Sequence, residues 1–230
     1  MKSRERVMTA LRREQPDRVP YCELGIDRAL AHRIMGWEAL PSQAANLEAN
    51  PYTVDEAKAI AATLGLDNLI YVLRAPVYAE RIRGEDGRLF YGAGLIASEA
   101  DLPIIQLPDP TDDQLYAEAR TFTAQKEEYA AWFVTRIGIS STMLGMGTEN
   151  FCLTLYDNRA FLETVLDTYV DWAVTVAKRV CKMGFDVFVT TDDMAFNTSP
   201  FFSPKIFREV MLPRFRRMAE AITIPWIIHS

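Results

Sequence analysis

The chain has 230 residues, 49% of them hydrophobic and 24% charged, so it is long enough to bury a core and too apolar for a disordered chain. Its 31 acidic and 25 basic side chains give a formal net charge of -6, which disfavours nucleic acid and anionic membranes as general partners. Its three cysteines are far apart, and neither a signal sequence nor an apolar run of membrane length occurs, so we expect a cytoplasmic protein.

In chain order, the sequence predicts helices that alternate with short apolar strands. Apolar residues recurring every three or four positions, with capping and stop residues at the ends, indicate the helices. The predicted helices cover residues 3–15, with Ser3 as cap, 54–64, 112–129, 159–183 and 203–221. Continuous apolar runs predict strands over residues 18–26, 66–73, 132–140, 185–191 and 224–229. Turn residues around Gly84 and Gly87 predict a β-hairpin insertion at about residues 76–110.

Strands that are apolar throughout and alternate with helices indicate parallel pairing, and hence an α/β fold. No glycine-rich loop follows the first predicted strand, and polar residues gather directly after the strands, which favours a (β/α)8 TIM barrel over an open sheet. Only about five of the eight strand-helix units are present. We therefore expect residues 1–230 to be one barrel domain, truncated at its carboxyl end, from a protein of roughly 350 residues. Its open sheet edges would favour association into homo-oligomers and leave this chain inactive.

The densest group of candidate catalytic residues is Asp192 and Asp193, directly after the predicted fourth strand. The carboxyl ends of barrel strands carry the catalytic groups of such enzymes. Adjacent residues on extended backbone point in opposite directions, so at most one carboxylate reaches the barrel mouth and the other supports a loop or caps the following turn. Asn197, in that turn, is a candidate for substrate binding.

Other candidates follow the remaining strands. His229 ends the fifth predicted strand, where it could ligate a metal, transfer protons or form part of the core. Glu23, near the end of the first predicted strand, is a further catalytic candidate or else a salt-bridge partner within a loop. After the third predicted strand, Ser141 and Glu149 either contact substrate or belong to a loop and a helix start. The second histidine, His32, we expect to be structural or at the surface.

Three segments carry a family resemblance: SRERVMTALRREQPDRVP, TTDDMAFNTSPFFSPKIFREVMLPRFRRM and IPWIIHS. They resemble the uroporphyrinogen decarboxylase superfamily, and more narrowly its branch of cobalamin-dependent methyltransferases and uncharacterised relatives. The resemblance implies a barrel whose mouth binds a tetrapyrrole or the methyl-carrying face of a corrinoid on a partner protein. It also implies a zinc ion with His229 similar to one of its ligands. The His-x-Cys pattern of that branch would place its cysteine after Ser230.

The resemblance implies a methyl-transfer enzyme that works with a corrinoid protein or with a small-molecule methyl donor or acceptor. Decarboxylation of uroporphyrinogen, a carboxy-lyase activity of tetrapyrrole biosynthesis, is the alternative. It is disfavoured because Glu23 stands where decarboxylases carry arginines that bind substrate carboxylates. A non-catalytic binder of a corrinoid or tetrapyrrole is the third possibility.

Overall fold

The computed structural model describes residues 1–38, 50–85 and 89–230. The helices are α1 (Ser3–Leu11), α2 (Arg28–Met35), α3 (Val54–Leu64), α4 (Ala117–Ala124), α5 (Ile139–Met146), α6 (Thr148–Asp157), α7 (Arg159–Val180), α8 (Pro204–Ile206) and α9 (Leu212–Ala221). The strands are β1 (Asn68–Val72), β2 (Ala79–Arg83), β3 (Leu89–Gly94), β4 (Ala130–Thr135), β5 (Val187–Thr191) and β6 (Trp226–His229). No described helix is both long and apolar enough to span a membrane.

Four strands form a parallel sheet in the order β1-β4-β5-β6, and β2 pairs with β3 as a separate antiparallel hairpin. At least one helix follows β4 and β5 before the next strand of the sheet. Parallel strands joined through helices confirm the α/β class, and the arrangement is that of part of a (β/α)8 barrel. Because neighbouring parallel strands are in register, residues from distant parts of the sequence lie side by side at the same height.

The sheet has two different faces. Tyr71, Phe133 and Phe188 belong to the large core that includes the buried side of α7. On the opposite face, Val72 and Val134 belong to a smaller apolar cluster, which also contains Val7, Ala130, Trp132, Val187 and Val189. Since successive residues of a strand point to opposite faces, the first set covers the helix side and the second faces the barrel interior.

Local sequence explains the ends of several helices. The Thr53 hydroxyl accepts a hydrogen bond from the Glu56 N–H, the Glu56 carboxylate accepts one from the Thr53 N–H, and Gly65 ends α3 with a φ of 72°. The predicted helix over residues 203–221 is continuous but contains a π-helical turn over Phe207–Met211. That turn precedes Pro213, which has no N–H to donate to a regular helix.

The prediction of a strand over residues 18–26 is wrong, because these residues form no strand. The segment lies beside the amino end of β1, where one backbone bond, from the Asp67 N–H to the Tyr21 carbonyl at 2.7 Å, and several side-chain bonds replace a ladder. The Asn68 side chain accepts a hydrogen bond from the Glu23 N–H at 3.0 Å and donates one to the Glu23 carbonyl at 2.9 Å. Asp67 accepts one from the Tyr21 N–H at 2.9 Å. These bonds use backbone groups that a regular ladder would need.

Three further boundaries differ from the predictions. α1 begins at Ser3 with Lys2 as its cap, so Ser3 is the first helical residue and not the cap. The predicted helix over 112–129 is a 3-10 turn over Asp113–Tyr116 followed by α4. The predicted third strand ends early, because Gly138 adopts a φ of 138° and α5 begins at the next residue.

Candidate functional site

A row of four side chains lies at the carboxyl end of the interior face of the sheet: Arg74, Arg136, Thr191 and His229, hereafter the rim row. Thr191 and His229 are partners in the β5–β6 register. Arg74 and Arg136 each lie two residues beyond the paired Val72 and Val134.

Residues two apart share a face of a strand, so the rim row continues the interior face marked by Val72, Val134 and Val189. A contact across the sheet supports this placement. Arg74 Nη2 donates a hydrogen bond to Thr191 Oγ1 at 3.2 Å, although β4 lies between β1, which Arg74 follows, and β5, which Thr191 ends. The interior of the partial barrel therefore changes from apolar to polar at its carboxyl end.

His229 and Asp193 form the part of the rim that can exchange protons or bind a cation. His229 Nδ1 lies 3.8 Å from Asp193 Oδ1, and the two side chains are 53% and 66% exposed. This separation is too long for a hydrogen bond but brings opposite charges together when the imidazole is protonated. The Asp193 N–H donates to Ser140 Oγ at 2.9 Å, which fixes the backbone of this residue against α5. With Nδ1 turned toward the carboxylate, Nε2 is the ring nitrogen left for a ligand.

Asp192 points the other way and is buried. Its carboxylate accepts hydrogen bonds from the N–H groups of Ile137 at 2.6 Å, Ser140 at 2.9 Å and Gly138 at 3.3 Å. Burial raises the pKa of Asp192 above its ordinary value, while the three N–H donors lower it. The two adjacent carboxylates thus point apart, as expected on extended backbone, and Asp192 supports the turn between β4 and α5.

Of the other candidates, Glu23 lies away from the rim row, and the rest lie in α5, in α6 and in the turn after β5. Glu23 is bonded through its backbone to Asn68, the first residue of β1, about 13 Å below the carboxyl end by the rise of a strand. Ser141 is buried within α5, and its hydroxyl has no hydrogen-bond partner among the described residues. Glu149 is exposed in the first turn of α6, and Asn197 is exposed in the turn after β5. Residues 139–146 and 148–157 are helical and not a loop.

Zinc requires several converging ligands, and three protein ligands are usual even in catalytic sites. Within residues 1–38, 50–85 and 89–230, no three His, Cys, Asp or Glu side chains are grouped in a way that could hold a metal. The free cysteines do not reach His229: Cys22 packs in the barrel interior, Cys152 lies in α6 and Cys181 caps α7. Burial raises the pKa of Cys22 to about 12. His229 is therefore a single candidate ligand with a neighbouring carboxylate.

The β2–β3 hairpin contributes an aromatic ring to the rim. The guanidinium carbon of Arg136 lies 5.6 Å from the centre of the Tyr91 ring, and that of Arg81 lies 4.4 Å from it. The base of the hairpin packs on the end of α5, where the Ile96 N–H donates to the Gly145 carbonyl at 2.9 Å. The hairpin is thus held against the carboxyl end of the sheet.

Sequence reasoning missed Arg74, Arg136 and Thr191. The sequence does contain a signal for the two arginines. At the ends of β1 and β4, a valine is followed two positions later by an arginine: Arg74 after Val72, and Arg136 after Val134. An arginine two positions after an inward valine shares its face and lies at the strand end.

The fold is that of part of a (β/α)8 barrel, with titratable side chains at the carboxyl ends of its strands, the end at which barrel enzymes carry their active sites. The uroporphyrinogen decarboxylase (URO-D) family profile matches residues 100–230. The chain belongs to the uroporphyrinogen decarboxylase family. Its fold is similar to that of a methyltransferase from Methanosarcina mazei, with a TM-score of 0.72 and 16% identity over 100% of this chain and 69% of that chain. No curated protein matches the sequence.

Proposed function

We propose that this protein is a methyl-transfer enzyme that works with a corrinoid, either on a partner protein or as a small-molecule methyl donor or acceptor. The observation that carries the proposal is the position of His229. It ends β6 at the barrel mouth, with Asp193 beside Nδ1 and with Nε2 left for a ligand. Membership of the family and the fold shared with a methyltransferase support the same activity.

We further propose that His229 is one ligand of a zinc ion. A carboxylate beside the remaining ring nitrogen of a ligating histidine is the usual outer-shell arrangement, because it orients the ring. A 3.8 Å separation fits this role after a small side-chain movement, since both side chains are exposed. Bound zinc would lower the pKa of a thiol acceptor and so make it a better nucleophile. The further protein ligands that such a site needs are not among the described residues.

Zinc binding tests the proposal directly. We expect about one zinc per molecule in the purified protein and loss of most of it in His229→Ala. His32→Ala is the matched control, because His32 lies in α2 and its Nδ1 is 2.8 Å from the Glu38 carbonyl, away from the rim. Equal zinc in all three proteins would contradict the assignment of His229, and active protein without zinc would contradict the use of the metal.

Corrinoid dependence has its own test. The absorbance of methylcobalamin should change when protein and a thiol acceptor are added, because loss of the methyl group alters the cobalt ligands. A change caused by binding alone, without turnover, would indicate a corrinoid-binding protein that is not an enzyme. No change under any condition would contradict corrinoid dependence.

One observation favours uroporphyrinogen decarboxylation as the second candidate. Glu23 is not at the barrel mouth, so the acidic side chain that was expected to repel a substrate with many carboxylates is absent from the rim row. Arg74 and Arg136, whose guanidinium groups attract carboxylates, are present in that row. The assay is formation of coproporphyrinogen from uroporphyrinogen. Product that depends on Arg136 would favour this activity, and no product at high enzyme concentration would reject it.

A further inference from the structure

We propose that Ser140 is a positioning residue, which holds the Asp193 carboxylate beside Nδ1 of His229 and so keeps a proton on Nδ1 and a lone pair on Nε2. The inference rests on the proposed function in one respect, that Nε2 is the atom that binds a ligand. It goes beyond that function by giving a role to Ser140, in the first turn of α5, and by naming the tautomer that the neutral imidazole adopts.

The first argument is that Ser140 bonds to both of the adjacent acids. Its N–H donates to Asp192 Oδ1, and its Oγ accepts a hydrogen bond from the Asp193 N–H, at 2.9 Å in each case. Ser140 is buried, so water cannot easily replace either bond. The acids follow β5, whereas Ser140 lies 52 residues before Asp192 in the chain. A single residue of α5 therefore fixes the backbone at the end of β5.

The second argument is that the residue after Asp193 is bonded to the end of another strand. The Met194 N–H donates to Ser230 Oγ at 3.0 Å, and Ser230 directly follows His229, the last residue of β6. Two consecutive N–H groups are thus bonded to different elements, the first to α5 and the second to the end of β6. These two bonds set where the Asp193 backbone lies relative to His229.

The third argument is that the acid and the imidazole do not hold each other in place. Asp193 Oδ1 and His229 Nδ1 are 3.8 Å apart, beyond hydrogen-bond distance, and both side chains are more than half exposed. An exposed pair gains little from its own attraction and loses side-chain entropy when it is fixed. The geometry of this pair therefore depends on how each backbone is anchored. His229 belongs to the β5–β6 ladder, and Asp193 is bonded to Ser140.

The chemical consequence is the choice of tautomer. A neutral imidazole carries its proton on one of its two ring nitrogens, and the groups that face those nitrogens decide which one. A carboxylate beside Nδ1 favours an N–H there, because the positive end of the N–H dipole then points toward the negative charge. The lone pair is left on Nε2, the atom that can bind a metal or accept a proton. Moving Asp193 away from Nδ1 would remove this preference without any change to the ring itself.

Long-range 1H–15N NMR of the whole 230-residue chain, labelled with 15N-histidine, tests the proposal. The 15N shifts of the two ring nitrogens report which of them carries the proton in a neutral imidazole. Spectra are recorded at alkaline pH with EDTA present, so that the ring is neutral and free of metal. The chain has two histidines, so His32→Ala assigns the signals of His229.

We expect wild type to favour the Nδ1–H tautomer of His229, and Asp193→Ala to lose this preference. Ser140→Ala should lower the ratio of Nδ1–H to Nε2–H by about threefold, the size of effect typical of an exposed charge pair. In the Asp193→Ala background, Ser140→Ala should have no further effect, because Ser140 acts through Asp193. Ser140→Thr, which retains the hydroxyl, should keep the wild-type ratio. Thr142→Val is the matched control, because it removes a buried hydroxyl of α5 that has no hydrogen-bond partner in the described part of the chain.

Equal tautomer ratios in wild type and Ser140→Ala would overturn the proposal, as would a wild-type imidazole that is mainly Nε2–H or an equal change in Thr142→Val. If Ser140→Ala does not fold, Ser140→Cys decides the matter, because a thiol is of similar size but a weak acceptor. The spectra need neither zinc nor a methyl donor, so their outcome is independent of the assays of the proposed function. Zinc lost in His229→Ala together with an unchanged ratio in Ser140→Ala would reject the role of Ser140 alone.

Discussion

Removing the buried carboxylate of Asp192 should destabilise the protein more than any other single change at the barrel mouth. In Asp192→Ala, the N–H groups of Ile137 and Ser140 lose acceptors at 2.6 and 2.9 Å, and the longer contact to Gly138 is also lost. Two good bonds to a charged acceptor at about 1.5–3 kcal/mol each give an expected loss of about 3–6 kcal/mol.

The matched variant Asp192→Asn keeps one acceptor oxygen and has no charge to bury, so we expect a loss of only about 0–2 kcal/mol. Urea unfolding at pH 7 measures both free energies of unfolding. A loss below about 1 kcal/mol in the alanine variant, or equal losses in both variants, would refute the reasoning.

The pH dependence gives an independent check on Asp192. Burial raises the pKa of Asp192 in the folded state, so the folded protein binds this proton more tightly than the unfolded chain does. Its contribution to stability is therefore fully present below the unfolded pKa, near 3.9, and declines as the pH rises through the folded pKa. The stability of wild type relative to Asp192→Asn should fall as the pH rises over that range, and a difference independent of pH would contradict the assignment.

Three further predictions concern other parts of the molecule. Asp67 is buried, and its carboxylate accepts a hydrogen bond from Arg6 at 2.5 Å. Asp67→Ala should therefore lower the free energy of unfolding, measured in urea, by about 3–5 kcal/mol. Asp17→Ala, which removes a more exposed partner of Arg6, should lower it by less. An added Cβ at Gly94 would lie 2.6 Å from the Gly145 carbonyl oxygen, so Gly94→Ala should lower the melting temperature by several degrees. Gly25→Ala should not, because an added Cβ there would lie 3.6 Å from its nearest neighbour, Ile70 Cδ1. The raised pKa of Cys22, about 12, predicts that iodoacetamide alkylates this thiol slowly at pH 8 until urea unfolds the chain. Peptide mapping measures the labelling, and rapid labelling of Cys22 in the native protein would contradict the prediction.

Much of the fold could be predicted from local patterns. The bounds of α3 follow from Thr53 and Gly65, and the apolar runs that became β1, β4, β5 and β6 are continuous in the sequence. The opposite directions of Asp192 and Asp193 follow from the alternation of a strand. Each of these inferences uses residues within one turn of helix or one length of strand, where backbone geometry alone sets which way a side chain points.

The rim row required the tertiary structure. Thr191 and His229 end β5 and β6, and Arg74 and Arg136 follow the ends of β1 and β4, so only the register between these four strands places the side chains at one height on one face. Hydrogen bonds from the Asn68 side chain hold Glu23 at the amino end of β1, away from the mouth where the sequence pattern had placed it. The sequence alone thus determined the α/β alternation and the candidate acids after β5, because these depend on local periodicity. Tertiary structure decided which side chains meet, because register is set by packing between segments that are far apart along the chain.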